Sequence, residues 1–120
     1  MATFSKVKLS GSTNGRLIKV AATATTGTTI HATGTSSSII DEIWLYAVNS
    51  DTTARKLTIE FGGTSSPDDL IEFTVQPENG LYVVVPGLML TGTGSAANTI
   101  TAFCATANVV MIGGYVNRIS

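Results

Sequence analysis

The chain is predicted to be all-β, a single antiparallel β-sandwich, and three observations carry that prediction. β-branched residues dominate the apolar stretches. Apolar and polar residues alternate with a period of two in "RKLTIEFGG" and "LIEFTVQ". Clusters of Gly, Ser, Thr and Asn punctuate the chain at the ~8–12-residue spacing of sandwiches and barrels. With 120 residues and no linker or composition break, the chain suits one sandwich domain over residues 26–120, behind an N-terminal arm or hairpin over residues 1–25.

The elements follow in order. "KVKLSGSTNGRLIKV" reads as two short strands around a turn in which Asn14 and Gly15 supply positive φ. "ATATTGTT" is a loop, "TTIHAT" a short strand and "TGTSSS" a second loop. "IIDEIWLYAVNS" is a long strand with Trp44, Tyr46 and Val48 on one face and Ile43, Leu45 and Ala47 on the other. Apolar on both faces, it is expected to be central and covered on both sides, with Trp44 and Tyr46 packed in the core. In "RKLTIEFGG" Leu57, Ile59 and Phe61 face the core while Lys56, Thr58 and Glu60 face water. In "LIEFTVQ" the inward set is Ile71, Phe73 and Val75.

"PENG" predicts a turn that folds "LYVVV" back on "LIEFTVQ" as a hairpin, and Pro86-Gly87 is expected to end the pairing there. "LML" continues at a new angle, and "TGTGSAAN" is a loop. "TITAFCATA" and "NVVMIGGYVNRI" are the closing strands, with a bulge expected at Gly113-Gly114.

Charged residues make up 12% of the chain, about half the ~25% of an ordinary soluble domain. Thr, Ser, Gly and Ala fill the gap. So little charge keeps copies of a lone molecule apart poorly, and implies a surface covered by copies or partners in the working state. The charge is also unevenly placed. Before Asp41 stand Lys6, Lys8, Arg16 and Lys19 with no acid, whereas the remainder holds eight acids against Arg55, Lys56 and Arg118. Such a basic leader suits contact with a neighbouring acidic surface.

Candidate chemistry is sparse. His31 is the only histidine and Cys104 the only cysteine, so neither a His- nor a Cys-based metal set is available. Cys104 reads as a small buried hydrophobe with no flanking cation to activate its thiol. No G-x-S-x-G motif places a serine on a nucleophile elbow. Asp41 and Glu42 are adjacent on a strand and point to opposite faces, which is wrong for a shared acid/base site. Asp68 and Asp69 follow Pro67 as turn formers, at a spacing unlike an EF-hand. "TGTGSAAN" lacks the Lys-Ser/Thr ending of a phosphate-binding loop.

The sequence therefore predicts no catalytic residue, no cofactor and no metal. The dispersed cations, without interleaved aromatics, predict no nucleic-acid partner. The longest apolar run, Leu81 to Leu90, is broken by Pro86 and Gly87 and falls short of the ~20 residues of a spanning helix, so no membrane partner is expected. The opening stretch shows no apolar core of a signal peptide.

Four stretches together span most of the chain: "GRLIKVAATATTGTTIHA", "DEIWLYAVNSDTTARKLTIEFGG", "LIEFTVQPENGLYVVVPGLMLTG" and "ITAFCATANVVMIGGYVNRI". In them the chain resembles the small β-sandwich decoration, or cement, proteins of tailed bacteriophages. The resemblance implies a jelly-roll-like sandwich of about eight strands that forms a homotrimer on the outer capsid surface of the virion. Made in the host cytoplasm, it would bridge subunits of the major capsid protein and stabilise the head. Lys6, Lys8, Arg16 and Lys19 are the candidate contacts to the capsid or to a neighbouring copy. Tail-fibre and baseplate modules that bind a host receptor or glycan share such sandwiches and are the alternative.

Overall fold

The computed structural model describes residues 2–120 and contains nine strands and no helix among them. They are β1 (Phe4–Lys8), β2 (Ile18–Lys19), β3 (Thr28–Ala32), β4 (Ile40–Asn49), β5 (Arg55–Phe61), β6 (Leu70–Val75), β7 (Tyr82–Leu90), β8 (Thr99–Cys104) and β9 (Val110–Ile119). The first sheet has the order β1-β9-β4-β7, with β2 also paired to β9, and the second has the order β3-β8-β5-β6. All the strand pairs are antiparallel. The chain is an all-β sandwich of two packed antiparallel sheets.

The pairing is nested. β5 pairs β6, β4 pairs β7, β3 pairs β8 and β2 pairs β9, alternating between the two sheets from the inside outward. A single long hairpin with its tip at β5–β6, rolled so that successive pairs fall in opposite sheets, gives this order, which is the jelly-roll arrangement. Between the sheets Ile43, Leu45, Leu57, Ile59, Ile100, Ile112 and Val116 have no exposed surface. Each such Ile or Leu contributes ~1.5–3 kcal/mol of burial. They come from alternate positions of β4, β5, β8 and β9, as a period-two pattern requires.

Four local expectations are corrected. β1 and β2 form no hairpin on each other; both lie along β9, and Leu9 in the segment between them is buried in the core. Of the expected arm over residues 1–25, Met1 lies outside the described residues, and residues 4–8 and 18–19 are sheet strands. "PENG" is a crossing between sheets: β6 ends in the second sheet and β7 begins in the first. Glu78 and Gly80 have positive φ, and Glu78 N–H donates to the Asn49 carbonyl at the end of β4, steering the chain across the sandwich.

β7 also runs on through Pro86 and Gly87, with register shifts between Ile43 and Trp44 and between Leu45 and Tyr46 on its partner β4. It tolerates proline because it is an edge strand. Finally, the β4–β9 register is unbroken at Gly113-Gly114. A Cβ on Gly114 would strike the Trp44 carbonyl oxygen, so that glycine permits close strand approach and forms no bulge.

Candidate functional site

The outer face of the first sheet is built by register. Trp44 of β4 sits opposite Tyr115 of β9, Glu42 opposite Asn117, and Val48 opposite Met111. Because Ile43, Leu45 and Ala47 point into the core, this second set must point outward. Trp44 and Tyr46, expected in the core, therefore lie half-exposed on the outside. Both faces of β4 are apolar, and alternation does not say which one the core takes. On the β7 side the face gains Val83 opposite Tyr46 and Met89 opposite Glu42, and Met89 is 66% exposed. On the β1 side it gains Phe4, 71% exposed.

The centre of this face is ordered. The Trp44 and Tyr115 rings stack with centroids 6.2 Å apart and planes 12° apart. The Lys6 ammonium lies 4.8 Å from the centroid of the Tyr115 ring, a cation–π contact. Glu42 Oε1 accepts from Trp44 Nε1 at 2.8 Å and from Asn117 Nδ2 at 2.9 Å. These bonds, that from Asn117 foremost, hold the Glu42 pKa below its ordinary value. Gly87, at φ 88°, leaves the space Trp44 fills: a Cβ there would lie 3.1 Å from the indole.

The opposite outer face is closed. Glu60, expected in water, points outward from β5 yet has 0% exposure, because residues 21–27 fold over it. Its carboxylate accepts from Thr101 Oγ1 at 2.5 Å, Gly27 N–H at 2.8 Å and Thr25 Oγ1 at 2.9 Å. Burial opposes ionisation, but these three donors outweigh it and hold the pKa below the ordinary glutamate range. Around it the face carries Thr58, Thr74 and an exposed Lys56–Glu72 ion pair at 2.7 Å.

A third polar cluster joins the sheets. His31 of β3 contacts Asp41 of β4 through Nε2 at 2.8 Å, and Asp41 accepts from Arg118 Nε at 2.7 Å and Nη2 at 2.9 Å. Ser10 N–H donates to His31 Nδ1 at 3.0 Å, so Nδ1 is the acceptor and Nε2 carries the proton given to Asp41. Both ring nitrogens are thus engaged, and Ser10 Oγ accepts from Ala32 N–H. The group is a clamp between sheets, not a nucleophile held beside a free base. Burial raises the Asp41 pKa, but its bonds to Arg118 and His31 more than offset that and leave it lowered. Nothing in the sequence signals this pairing, since His31 and Asp41 stand there as separate, isolated groups.

The four cations singled out from sequence are not gathered into one site. Lys6 and Lys8 lie on β1, at the margin of the aromatic face. Arg16, with Leu17, belongs to the link between β1 and β2, and Lys19 sits on β2 opposite Met111. Arg16 and Lys19 line a shared shallow depression with Gly11, Thr13, Leu17 and Ile18. Among the described residues, no ion pair involves any of the four. Cys104 is buried, and no cluster of three or more His, Cys, Asp or Glu side chains suited to a metal occurs among the described residues.

What fold and surface define together is a charge-poor β-sandwich with one closed polar face and one open aromatic face. No protein-family model, curated protein or solved structure matches the chain.

Proposed function

We propose that this chain is a non-enzymatic structural protein of a tailed-phage virion: a decoration, or cement, protein that self-associates and clamps major capsid subunits from outside. One observation carries the proposal, the open apolar face centred on Trp44 and Tyr115 of a chain with only 12% charged residues. Lone soluble domains rarely leave such a cluster of aromatic and apolar side chains uncovered. The resemblance read from the sequence gives that surface its setting.

In this reading the protein acts as a homotrimer. Each trimer holds several weak contacts across capsid-subunit junctions at once, so opening the shell means breaking all of them together. Lys6, Lys8, Arg16 and Lys19 supply the cationic margin that meets an acidic neighbour. No step of chemistry is required of any residue.

The test is incubation of purified protein with undecorated heads. Saturable, regularly spaced binding and added heat resistance of the shell are expected. Absence of binding to heads, together with binding to host glycan or receptor, would replace this reading with that of a tail-fibre or baseplate module.

A further inference from the structure

We infer that the open face of the first sheet is covered by copies of this same chain, three of them meeting as the walls of a triangular prism around a common axis. The trimer itself rests on the proposed function; the choice of face and its geometry rest on the sheet edges, the dimensions of the sheet and the side chains it bears.

Self-association through a sheet edge is disfavoured throughout. The β7 edge carries Pro86 and two register shifts, and the β1 edge carries Lys6 and Lys8. The β3 edge is covered by residues 10–11, whose Gly11 N–H donates to the Ile30 carbonyl while Ser10 Oγ accepts from Ala32 N–H. The β6 edge carries the charged Glu72. Association must then use a face. Of the two, the second sheet's is polar and partly occupied by residues 21–27, whereas the first sheet's is open and carries Trp44, Tyr115, Val83, Met89 and Phe4, with Lys6, Lys8 and Lys19 along the β1–β2 side.

The dimensions suit three copies. Four strands ~4.8 Å apart make a wall ~19 Å wide, and a triangle of that side has an inscribed radius of ~5.5 Å; packed sheets lie ~10 Å apart, so side chains from each wall reach ~5 Å and just fill the prism. Ten-residue strands such as β4 and β9 make the wall ~33 Å long at ~3.3 Å per residue, so each copy brings ~600 Å² of projected face. Shared between two neighbours, that gives ~600 Å² for each pair of copies and ~1,800 Å² for the whole trimer, so the assembly taken together, rather than any one pair, exceeds the ~1,000 Å² expected of a specific interface.

The side-chain distribution agrees. The middle of each wall, closest to the axis, belongs to β9 and β4 and bears Tyr115, Trp44, Val48 and Met111. The acid on this face, Glu42, already has its hydrogen bonds from Trp44 and Asn117 and so tolerates drying. Lys8 of β1 falls at a corner, where its stem reaches along apolar surface and its ammonium stays wet, whereas the Lys6 ammonium reaches inward over the Tyr115 ring and is held there by the cation–π contact.

The experiment is sedimentation of the full chain with three variants. The native protein is expected at about three times its 12.4 kDa monomer mass. Met111→Glu and Val83→Glu should each sediment as monomers with an unchanged β-type circular dichroism spectrum. Thr74→Glu on the opposite face should remain trimeric. A native monomer or dimer, or a trimer that survives both glutamates, overturns the inference.

Quenching of Trp44 by acrylamide in the native protein gives a second arm that needs no variant. It should rise several-fold when the trimer is diluted apart, and equal quenching in trimer and monomer also overturns the prism. Head binding is scored separately. Trimers built on this face that ignore heads defeat the decoration reading alone, whereas trimers that bind heads yet resist both glutamates defeat the prism alone.

Discussion

On the outer face of the second sheet a carboxylate, Glu60, is fully buried beneath a loop that donates to it from as far as 35 residues earlier in the chain. On the outer face of the first sheet an indole and a phenol lie stacked and half-exposed, with Met89 and Phe4 beyond them largely in solvent. The usual assignment is inverted: an ionised group has been dried and aromatic groups left wet. Glu60 is sheltered because three donors surround it within the chain, which is the condition for burying a charge at tolerable cost. Trp44 and Tyr115 are left open because no segment of the chain folds over them. One face is finished by the fold; the other, in the proposed trimer, would be finished by assembly.

The largest expected effect probes what the two faces share. Asp41→Asn removes the charged partner of Arg118 and His31 at the junction of the sheets and should cost about 3–5 kcal/mol. Hydrogen exchange should then accelerate in both sheets together, because the clamp links them. Acid should act in the same direction without mutation. The Asp41 and Glu60 pKa values lie below their ordinary 3.8 and 4.5, so their stabilising contribution is fully present above those values and is lost as pH falls through the lowered folded pKa values. Urea midpoints should be flat from about pH 7 to pH 5 and drop steeply below about pH 4. A midpoint unchanged at about pH 2.5 would mean that neither carboxylate stabilises the fold through its charge.

Glu60→Ala comes next. It strands the Thr101 and Thr25 hydroxyls and the Gly27 N–H at once, and should cost about 2–4 kcal/mol given ~1–3 per buried unpaired group. Its signature differs from that of Asp41→Asn. Proteolysis should appear first within residues 21–27, while β4 and β9 keep their exchange protection. If the aromatic face loosened equally, the two faces would not be independent.

These effects also show where the sequence is legible. Alternation places Leu57, Ile59 and Phe61 inward and Glu60 outward, and that orientation is right. What alternation cannot express is the cover, because a Thr-rich loop distant in sequence closes over Glu60 only once β2 and β3 occupy different sheets. The same limit explains why "PENG" reads as a hairpin. Its turn residues fix a change of direction, but the partner of β7 is chosen by β4, whose ten residues give it a longer ladder than the six of β6 could offer. Trp44 and Tyr46 read as covered because both faces of β4 are apolar, and a single chain leaves one of them uncovered. Lys6 and Lys8 are legible as a basic leader, though not as a paired edge strand, since charge carries no information about register.

A smaller effect tests the open face from within. Gly87→Ala places a methyl 3.1 Å from the Trp44 ring at a φ of 88°, and the left-handed backbone alone costs ~1–2 kcal/mol for a residue with a Cβ. A loss of that size should come with a shift in Trp44 emission as the indole is displaced from Tyr115. Loss of stability with unchanged emission would place the cost in the backbone and leave the stack untouched.

The smallest effect belongs to the closed face and guards against counting every charge there as equal. Lys56 and Glu72 meet at 2.7 Å across β5 and β6, on the same strand pair as Glu60, yet their side chains are 62% and 53% exposed. Water screens the pair, and holding two long side chains in one geometry costs entropy, so Lys56→Ala should change stability by less than ~0.5 kcal/mol. The Glu60 network sits on the same sheet face and differs chiefly in being dry. A thermal melt of Lys56→Ala close to that of the native protein, beside a large drop for Glu60→Ala, would show that shelter by residues 21–27 gives the carboxylate its weight. Comparable losses in the two variants would mean that the face is held by its charges wherever they lie, and the contrast with the aromatic face would have to be redrawn as one of composition alone.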